Sequence, residues 1–386
     1  MKIKVLLFTP YFFPGFKGGG PIKSIKNLIE KISDEYEFWI VTSDRDLNDI
    51  TPYKDITVDK WNAVGQANVF YVSPEKLTIL NFMGIIKDSR CEVIYLNSFF
   101  SLNFSIKILI ACKFVFYSGI NSIIIAPRGE FSSGALKIKA FRKKVFIFLA
   151  RFTGLYKNIL WQATSNIEKE DITYNFNLKK GTIFLVKNLP STVNVDLKEK
   201  CLSDVLKIIF LSRISPKKNL EYALRAMRKV VVEVQFDIYG PKEDMEYWVL
   251  CQSLLDELPN NIKVSYCGLV EPENVSSTFS MYDLFFFPTL GENYGHVIAE
   301  SLSVGTSVLL SDQTPWRNLE NDSLGWDYAL SDEITFVKVI ESISRLSIEE
   351  KISLRKKVIE NSYKRIYNPA DVEANRALFL TAAKTE

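Results

Sequence analysis

Two glutamates eight positions apart, Glu292 and Glu300, lie in the segment Gly291-Glu292-Asn293-Tyr294-Gly295-His296-Val297-Ile298-Ala299-Glu300. A carboxylate suits paired sugar hydroxyls, because each of its oxygens can accept from one hydroxyl. Glu292 precedes an apolar helical run, and Glu300 falls roughly two turns into it. Amides around Gly295, His296 and Val297 would open that helix toward a phosphate. The same two acids also fit a bland role, one stabilising a helix dipole and one in a structural ion pair. A second group is Ser212-Arg213-Ile214-Ser215-Pro216-Lys217-Lys218-Asn219. Arg213 and Lys218 can converge on one anion there, and two cations count where negative charge grows on a departing diphosphate. Alone, the segment also reads as a solvated basic turn. A third is the loop Pro14-Gly15-Phe16-Lys17-Gly18-Gly19-Gly20-Pro21. Gly18, Gly19 and Gly20 would let backbone amides approach a ligand at the positive end of a helix. Its spacing is not that of the dinucleotide fingerprint, and a plain strand-to-helix loop would look the same.

These groups need elements to hold them. In the front half, Val5–Phe8, Glu37–Val41, Val93–Leu96 and Ile123–Ala126 are apolar runs of strand length, and Ile22–Ile32 carries apolar residues on one helical face. In the back half, Lys207–Leu211, Val234–Tyr239, Lys263–Cys267, Leu284–Pro288 and Ser307–Ser311 read as strands, with helical patterns over Leu220–Val230 and Val297–Val304. Strands that are apolar throughout and alternate with helices imply parallel sheets covered on both faces. Two such sets predict an α/β chain of two doubly wound domains, 1–188 and 189–368, divided within Lys187–Asp204. The tail from Ile348 is helical, with a break near Asn368-Pro369. In open parallel sheets ligands bind beyond the carboxyl ends of the strands, which is where all three groups fall.

Composition narrows the classes. The 386 residues exceed one ordinary core, and 47% hydrophobic with 24% charged residues is a globular mix. The greasiest region, Phe104–Ala126, is interrupted by Lys107 and Lys113, so it falls short of the about 20 apolar residues of a membrane span. Five scattered cysteines and a single histidine, His296, exclude a metal site that needs several imidazoles but leave a carboxylate site open. The thiols are expected to be reduced, and the short apolar run Met1–Phe8 reads as a first buried strand of a cytoplasmic chain. The net charge of +3 conceals an asymmetry: residues 1–188 carry 26 Lys and Arg against 16 Asp and Glu, and the rest carry 22 against 29. A basic front half suits phosphates or an anionic membrane surface, and no nucleic-acid partner is expected. A chance spread of surface charge would look the same.

The ordered set resembles glycosyltransferase family 4. Pro288-Thr289-Leu290-Gly291-Glu292 through Glu300-Ser301-Leu302-Ser303-Val304-Gly305 looks like that family's Glu-x7-Glu motif, and Arg213 with Lys218 resembles its phosphate-binding pair. Tyr239-Gly240-Pro241 and Cys267-Gly268-Leu269-Val270 fall where the family has glycine turns. The resemblance implies a GT-B fold, two Rossmann-like domains facing a central cleft, with the last helix, about 369–386, crossing back to the N-terminal domain. It implies an acceptor-binding first domain, a donor-binding second domain and a retaining transfer without metal or cofactor. Glu300 would hold the ribose, Glu292 the donor hexose, Arg213 and Lys218 the diphosphate; the amides of Gly295, His296 and Val297 would face phosphate, with Gly240 and Val270 bordering the donor.

The chain departs from the family in one place: it has no N-terminal-domain histidine, and Ala126-Pro127-Arg128-Gly129-Glu130-Phe131 occupies the comparable strand end, so Arg128 or Glu130 is expected to serve instead. The basic run Lys137–Phe146, interleaved with Ile138, Phe141, Val145 and Phe146, fits either a membrane interface or a helix that buries its apolar side. The expected co-substrate is a nucleotide-diphosphate sugar, UDP ahead of GDP, and the expected acceptor a lipid-linked oligosaccharide or polysaccharide precursor. Two other readings are a non-catalytic partner protein on the same fold and a sugar-nucleotide epimerase.

Overall fold

The computed structural model describes residues 2–115, 119–137, 140–176, 178, 181–191 and 204–384. The middle of the expected boundary segment (192–203), Cys201 within it, and residues 138–139 of the basic run lie outside them. The chain divides into two compact units, Met1–Leu189 with Pro369–Glu386, and Pro190–Asn368.

The first unit runs β1 (Ile3–Phe8), α1 (Gly20–Ile32), β2 (Tyr36–Ser43), β3 (Trp61–Val64), β4 (Ala67–Val72), α2 (Ile79–Ser89), β5 (Val93–Leu96), α3 (Lys107–Phe114), β6 (Ser122–Ile125), α4 (Ser133–Lys137), α5 (Ala140–Phe152), β7 (Leu160–Ala163), α6 (Asn166–Phe176) and β8 (Ile183–Leu185). The second runs β9 (Leu206–Leu211), α7 (Leu220–Met227), β10 (Val234–Tyr239), α8 (Met245–Leu255), β11 (Ile262–Gly268), α9 (Val275–Ser280), β12 (Leu284–Phe287), α10 (His296–Ser303), β13 (Ser307–Ser311), β14 (Gly325–Tyr328), α11 (Glu333–Ser344) and α12 (Ile348–Ile366).

The first sheet has the order β3-β4-β2-β1-β5-β6-β7-β8 and the second β11-β10-β9-β12-β13-β14. Neighbours pair in parallel except β3 with β4. The reason is visible in the strands: all four residues of β5 and of β12, and all five of β13, are buried. A strand that is apolar on both faces must be covered on both, and parallel strands joined by helices achieve that. Each unit is thus a doubly wound, Rossmann-like α/β set, as the family resemblance implies.

Each sheet reverses its winding once. In the first, β2 lies on one side of β1 and β5 on the other; in the second, β10 lies on one side of β9 and β12 on the other. At such a point successive connections diverge to opposite faces, and the loops after the two strands leave a recess between them. In the second unit those are the loops that carry Arg213, Lys218 and Glu292.

The last helix, α13 (Pro369–Lys384), follows α12 after a two-residue break. Pro369 lacks an amide and disfavours helical geometry at Asn368, so α12 cannot run on. The chain then returns to the first unit. Phe379 is fully buried, with ring centroids 5.5 Å from Tyr36, 5.9 Å from Phe38 and 5.5 Å from Tyr95. The Tyr36 hydroxyl donates to the Arg376 carbonyl (2.7 Å), and Asn375 Nδ2 to the Lys187 carbonyl (3.0 Å). The tail is therefore part of the first core, and Phe379→Ala should cost about 3–5 kcal/mol of stability. Denaturant unfolding followed by tryptophan fluorescence checks this; an unchanged midpoint would mean that α13 docks without supporting the core.

Candidate active site

Backbone hydrogen bonds join the β9–α7 loop to the β12–α10 loop before any side-chain charge is considered. The Lys217 carbonyl accepts from the Leu290 amide (2.8 Å), and the buried Thr289 hydroxyl lies 3.1 Å from the same oxygen. Asn219, in the left-handed conformation at the start of α7, donates from Nδ2 to the Pro288 carbonyl (2.8 Å). Asparagine tolerates that conformation better than other non-glycine residues. On the far side, the Glu292 amide donates to the Gln313 carbonyl beyond β13 (3.2 Å). Three strand-end loops thus fix the backbone at Glu292.

On this frame the Lys218 ammonium pairs with Glu292 Oε1, both side chains being about seven-eighths withdrawn from solvent. Lys218 Nζ also sits 5.4 Å from the centroid of the Phe287 ring, and the Thr289 hydroxyl is 3.5 Å from Glu292 Oε1. Arg213 does not join this pair. Its guanidinium bonds Glu243 at 2.7 Å, in the loop after β10. Glu243, Asn219, Gln313 and Thr289 shape the site, and local periodicity marks none of them. The signal available for Glu243 was its place three residues beyond Gly240, at a strand end.

Glycines bring these backbones close. At Gly240 the φ of 137° is one that side chains rarely adopt, and a Cβ there would stand 1.8 Å from the Ser212 carbonyl oxygen. The ends of β9 and β10 can approach only because that position is bare. Gly295 opens α10 with φ 78°, so the helix begins abruptly at His296 with Val297 next. His296 and Glu300 are both buried, one turn apart on α10, and the Tyr294 and His296 rings lie 4.6 Å apart. Trp316 Nε1 holds the Tyr294 carbonyl at 2.6 Å. Val270 follows β11 and packs partly against the core. The result is a strand-end recess with a lysine, two acids and a helix N-terminus, able to hold an anion and to accept from hydroxyls.

The sequence-predicted residues of the first unit lie on its own strand ends. The loop with Gly18, Gly19 and Gly20 is tied down by Asp46, whose Oδ2 accepts from the amides of Phe16 (2.7 Å) and Lys17 (3.0 Å). Lys17 itself pairs with Asp49. Arg128, past β6, donates from Nε to Asn97 (2.7 Å), from one terminal nitrogen to the Tyr95 hydroxyl (2.6 Å) and from the other to Asn188. Glu130 accepts from the amides of Phe99 (2.6 Å) and Phe100 (3.1 Å) and from the Ser98 hydroxyl (2.7 Å). Burial pushes its carboxyl above the usual range, against the pull of those donors. Among the described residues no group of three or more His, Cys, Asp or Glu could hold a metal ion.

Residues 196–365 match the family model described as glycosyl transferases group 1. An uncharacterized glycosyltransferase of Methanocaldococcus jannaschii is 23% identical over 333 residues, 80% of each chain. Among solved structures, the sucrose-phosphate synthase of Thermosynechococcus elongatus superposes with TM-score 0.73 at 15% identity, covering 98% of this chain and 99% of that one. The Anabaena protein HepE in complex with UDP and glucose gives 0.69 at 13%, with the same coverage. The structures share the GT-B fold, and the family match with the archaeal relative supports a glycosyltransferase enzyme.

The closeness of β9 and β10 can be tested at one atom. Gly240→Ala forces backbone against backbone, so it should cost at least about 2 kcal/mol. Thermal unfolding should show a lowered midpoint, and an unshifted one would mean that the two strand ends part without penalty.

Proposed function

We propose that this chain is a retaining, metal-independent glycosyltransferase. It moves a hexose or N-acetylhexosamine from a nucleotide-diphosphate sugar, UDP ahead of GDP, to a lipid-linked or polysaccharide acceptor at the cytoplasmic face of a membrane. The observation that carries this reading is the meeting of Lys218 and Glu292 at the second sheet's reversal point, with α10 starting beside them. The UDP and glucose bound to the similarly folded HepE favour a UDP-sugar.

In this reading the second unit binds the donor and the first the acceptor, with the Gly18–Gly20 loop on the acceptor side. Glu300 accepts from the ribose hydroxyls. Arg213, Lys218 and the amides of His296 and Val297 take the diphosphate, so the charge that grows on the leaving oxygen meets groups already in place. That is why no metal is required. Val270 and Gly240 border the nucleotide. Glu292 faces the hexose. Arg128 and Glu130 act by shaping the first unit's strand end, since their polar atoms are engaged with Asn97, Asn188, Tyr95 and the Phe99 and Phe100 amides.

The Lys218–Glu292 pair adds a step of its own. Without donor, the Glu292 carboxylate occupies the cation that the diphosphate needs, so binding exchanges one anion for another on Lys218. Glu292→Gln should therefore bind bare UDP as tightly as the wild type or up to about tenfold more tightly, while slowing transfer by about 100-fold or more. Glu300→Ala should weaken UDP binding by about tenfold or more, for the loss of hydrogen bonds to a charged acceptor. Calorimetry with UDP and a transfer assay run with and without chelator measure all three. Full transfer by both variants would overturn the site assignment, and loss of transfer on chelation would overturn the metal-free reading.

A further inference from the structure

Between Glu130 and Glu168 the sequence holds seven Lys and Arg residues and no Asp or Glu. α5 lies in the middle of this stretch and is apolar on two opposite sides. Its inner side packs into the first unit: Ile147 and Ala150 are buried, and the Phe146 ring lies 5.6 Å from Phe99 and 5.8 Å from Phe100. Lys143 belongs to that side as well, donating to the Ala135 carbonyl (2.7 Å) with its ammonium over the Phe100 ring.

The outer side carries Phe141 (80% exposed), Val145 (41%), Phe148 (68%), Leu149 (49%) and Phe152 (83%). At 100° per residue these five fall in one arc of roughly 100°, opposite the buried side. Arg142 borders the arc on one edge; Lys144 and Arg151 border it on the other, all three exposed. A surface helix normally presents charge where this one presents three phenylalanines, and a contiguous exposed apolar patch marks a contact surface.

The pattern selects the partner's chemistry. Cations on both long edges and no acid along the helix fit a surface that is anionic at one level and hydrocarbon just beneath it. An anionic bilayer has both, and a helix with an apolar arc flanked by Lys and Arg lies in its interface plane. An acidic protein would answer the cations but would need a groove for the phenylalanines. We propose that the outer face of α5 seats the first unit on an anionic lipid surface, with Phe141, Phe148 and Phe152 inserted at headgroup depth and Arg142, Lys144 and Arg151 on lipid phosphates. This deepens the membrane-side reading above, on which it rests, by naming the surface that makes the contact.

Vesicle co-sedimentation of the full chain tests it, with phosphatidylcholine alone or mixed with phosphatidylglycerol, at low and high salt. The wild type should bind the mixed vesicles, weaken with salt and ignore the neutral ones. F148S/F152S alters two exposed side chains, which leaves folding intact, and should abolish binding. Lys144→Gln and Arg151→Gln should each weaken binding about fivefold at low salt. No binding by the wild type, or equal binding by F148S/F152S, would overturn the proposal. So would gel filtration showing a wild-type dimer that F148S/F152S converts to monomer, because the arc would then cover a second copy. UDP binding measured on the same samples separates the two readings. UDP bound without vesicles removes the surface alone; vesicles bound without UDP leave the surface standing and remove the donor reading.

Discussion

The pairing of Lys218 with Glu292 is the interaction on which the strand-end loops of the second unit converge. Two opposite charges largely removed from water hold each other at a real desolvation cost, and removing one partner of a buried pair costs about 3–5 kcal/mol. Such a pair persists only where the backbone already brings the groups together. Here it does so through Asn219 on the Pro288 carbonyl, Leu290 on the Lys217 carbonyl and Glu292 on the Gln313 carbonyl. The pair is thus a product of the frame. In the proposed reaction it also keeps the lysine oriented in the resting site, so that an arriving diphosphate substitutes for a carboxylate.

That frame follows from sheet order. β9 and β12 are neighbours although two strands separate them in sequence, because winding reverses between them. Their following helices pass to opposite faces, so only the loops remain at the top, and polar side chains placed there neither enter the core nor dissolve into bulk solvent. Gly240 lets β10 close one wall, which brings Glu243 to Arg213. The two cations of the β9–α7 loop consequently have different resting partners. Lys218 is held by an acid within the recess, and Arg213, more exposed, by an acid at its border.

Much of this was legible in the sequence, and what was not had physical causes. β1, β2, β5 and β6, and β9, β10, β12 and β13, are largely buried runs that leave an apolar trace, whereas the edge strand β11 alternates exposed and half-buried residues. β3 and β14 are edge strands, half-exposed and mixed in character, and β8 is three residues long. β7 is interrupted by Gln162, buried because it bonds both the Tyr95 hydroxyl and the Val186 carbonyl. A polar residue satisfied only by tertiary contacts reads as surface until those contacts are known. The site followed the same division. Glu292, Arg213 and Lys218 are candidates legible in the sequence because they follow strand ends, and Glu300 because it lies within the helix that comes next. The pairing of Arg213 with Glu243 could not, because it depends on how β9 and β10 register. In α5, Phe146 read as a companion of Phe141 and Val145, yet one residue is 100° of helix, enough to turn it from the outer arc into the core.

On the proposed function, the charge asymmetry takes a different form in each unit. In the first, the strand-end polar groups of Arg128, Glu130 and Asp46 are spent on holding the unit's own loops, and the surplus of cations includes an unbroken stretch around α5. In the second, acids are in excess overall, but the recess keeps Lys218 and Arg213 at the strand ends. An enzyme that takes a dianionic donor from solution and delivers its sugar to a membrane-bound acceptor has to keep those two anionic partners on different cations. A single shared basic face would let the lipid surface compete for the donor's diphosphate. In the proposed reading, with Lys218 paired to Glu292 and the exposed cations of α5 beside an apolar arc on the other unit, each anion would meet the cations whose surroundings match its own chemistry: carboxylates that accept from the hydroxyls of the nucleotide sugar, phenylalanines for the lipid.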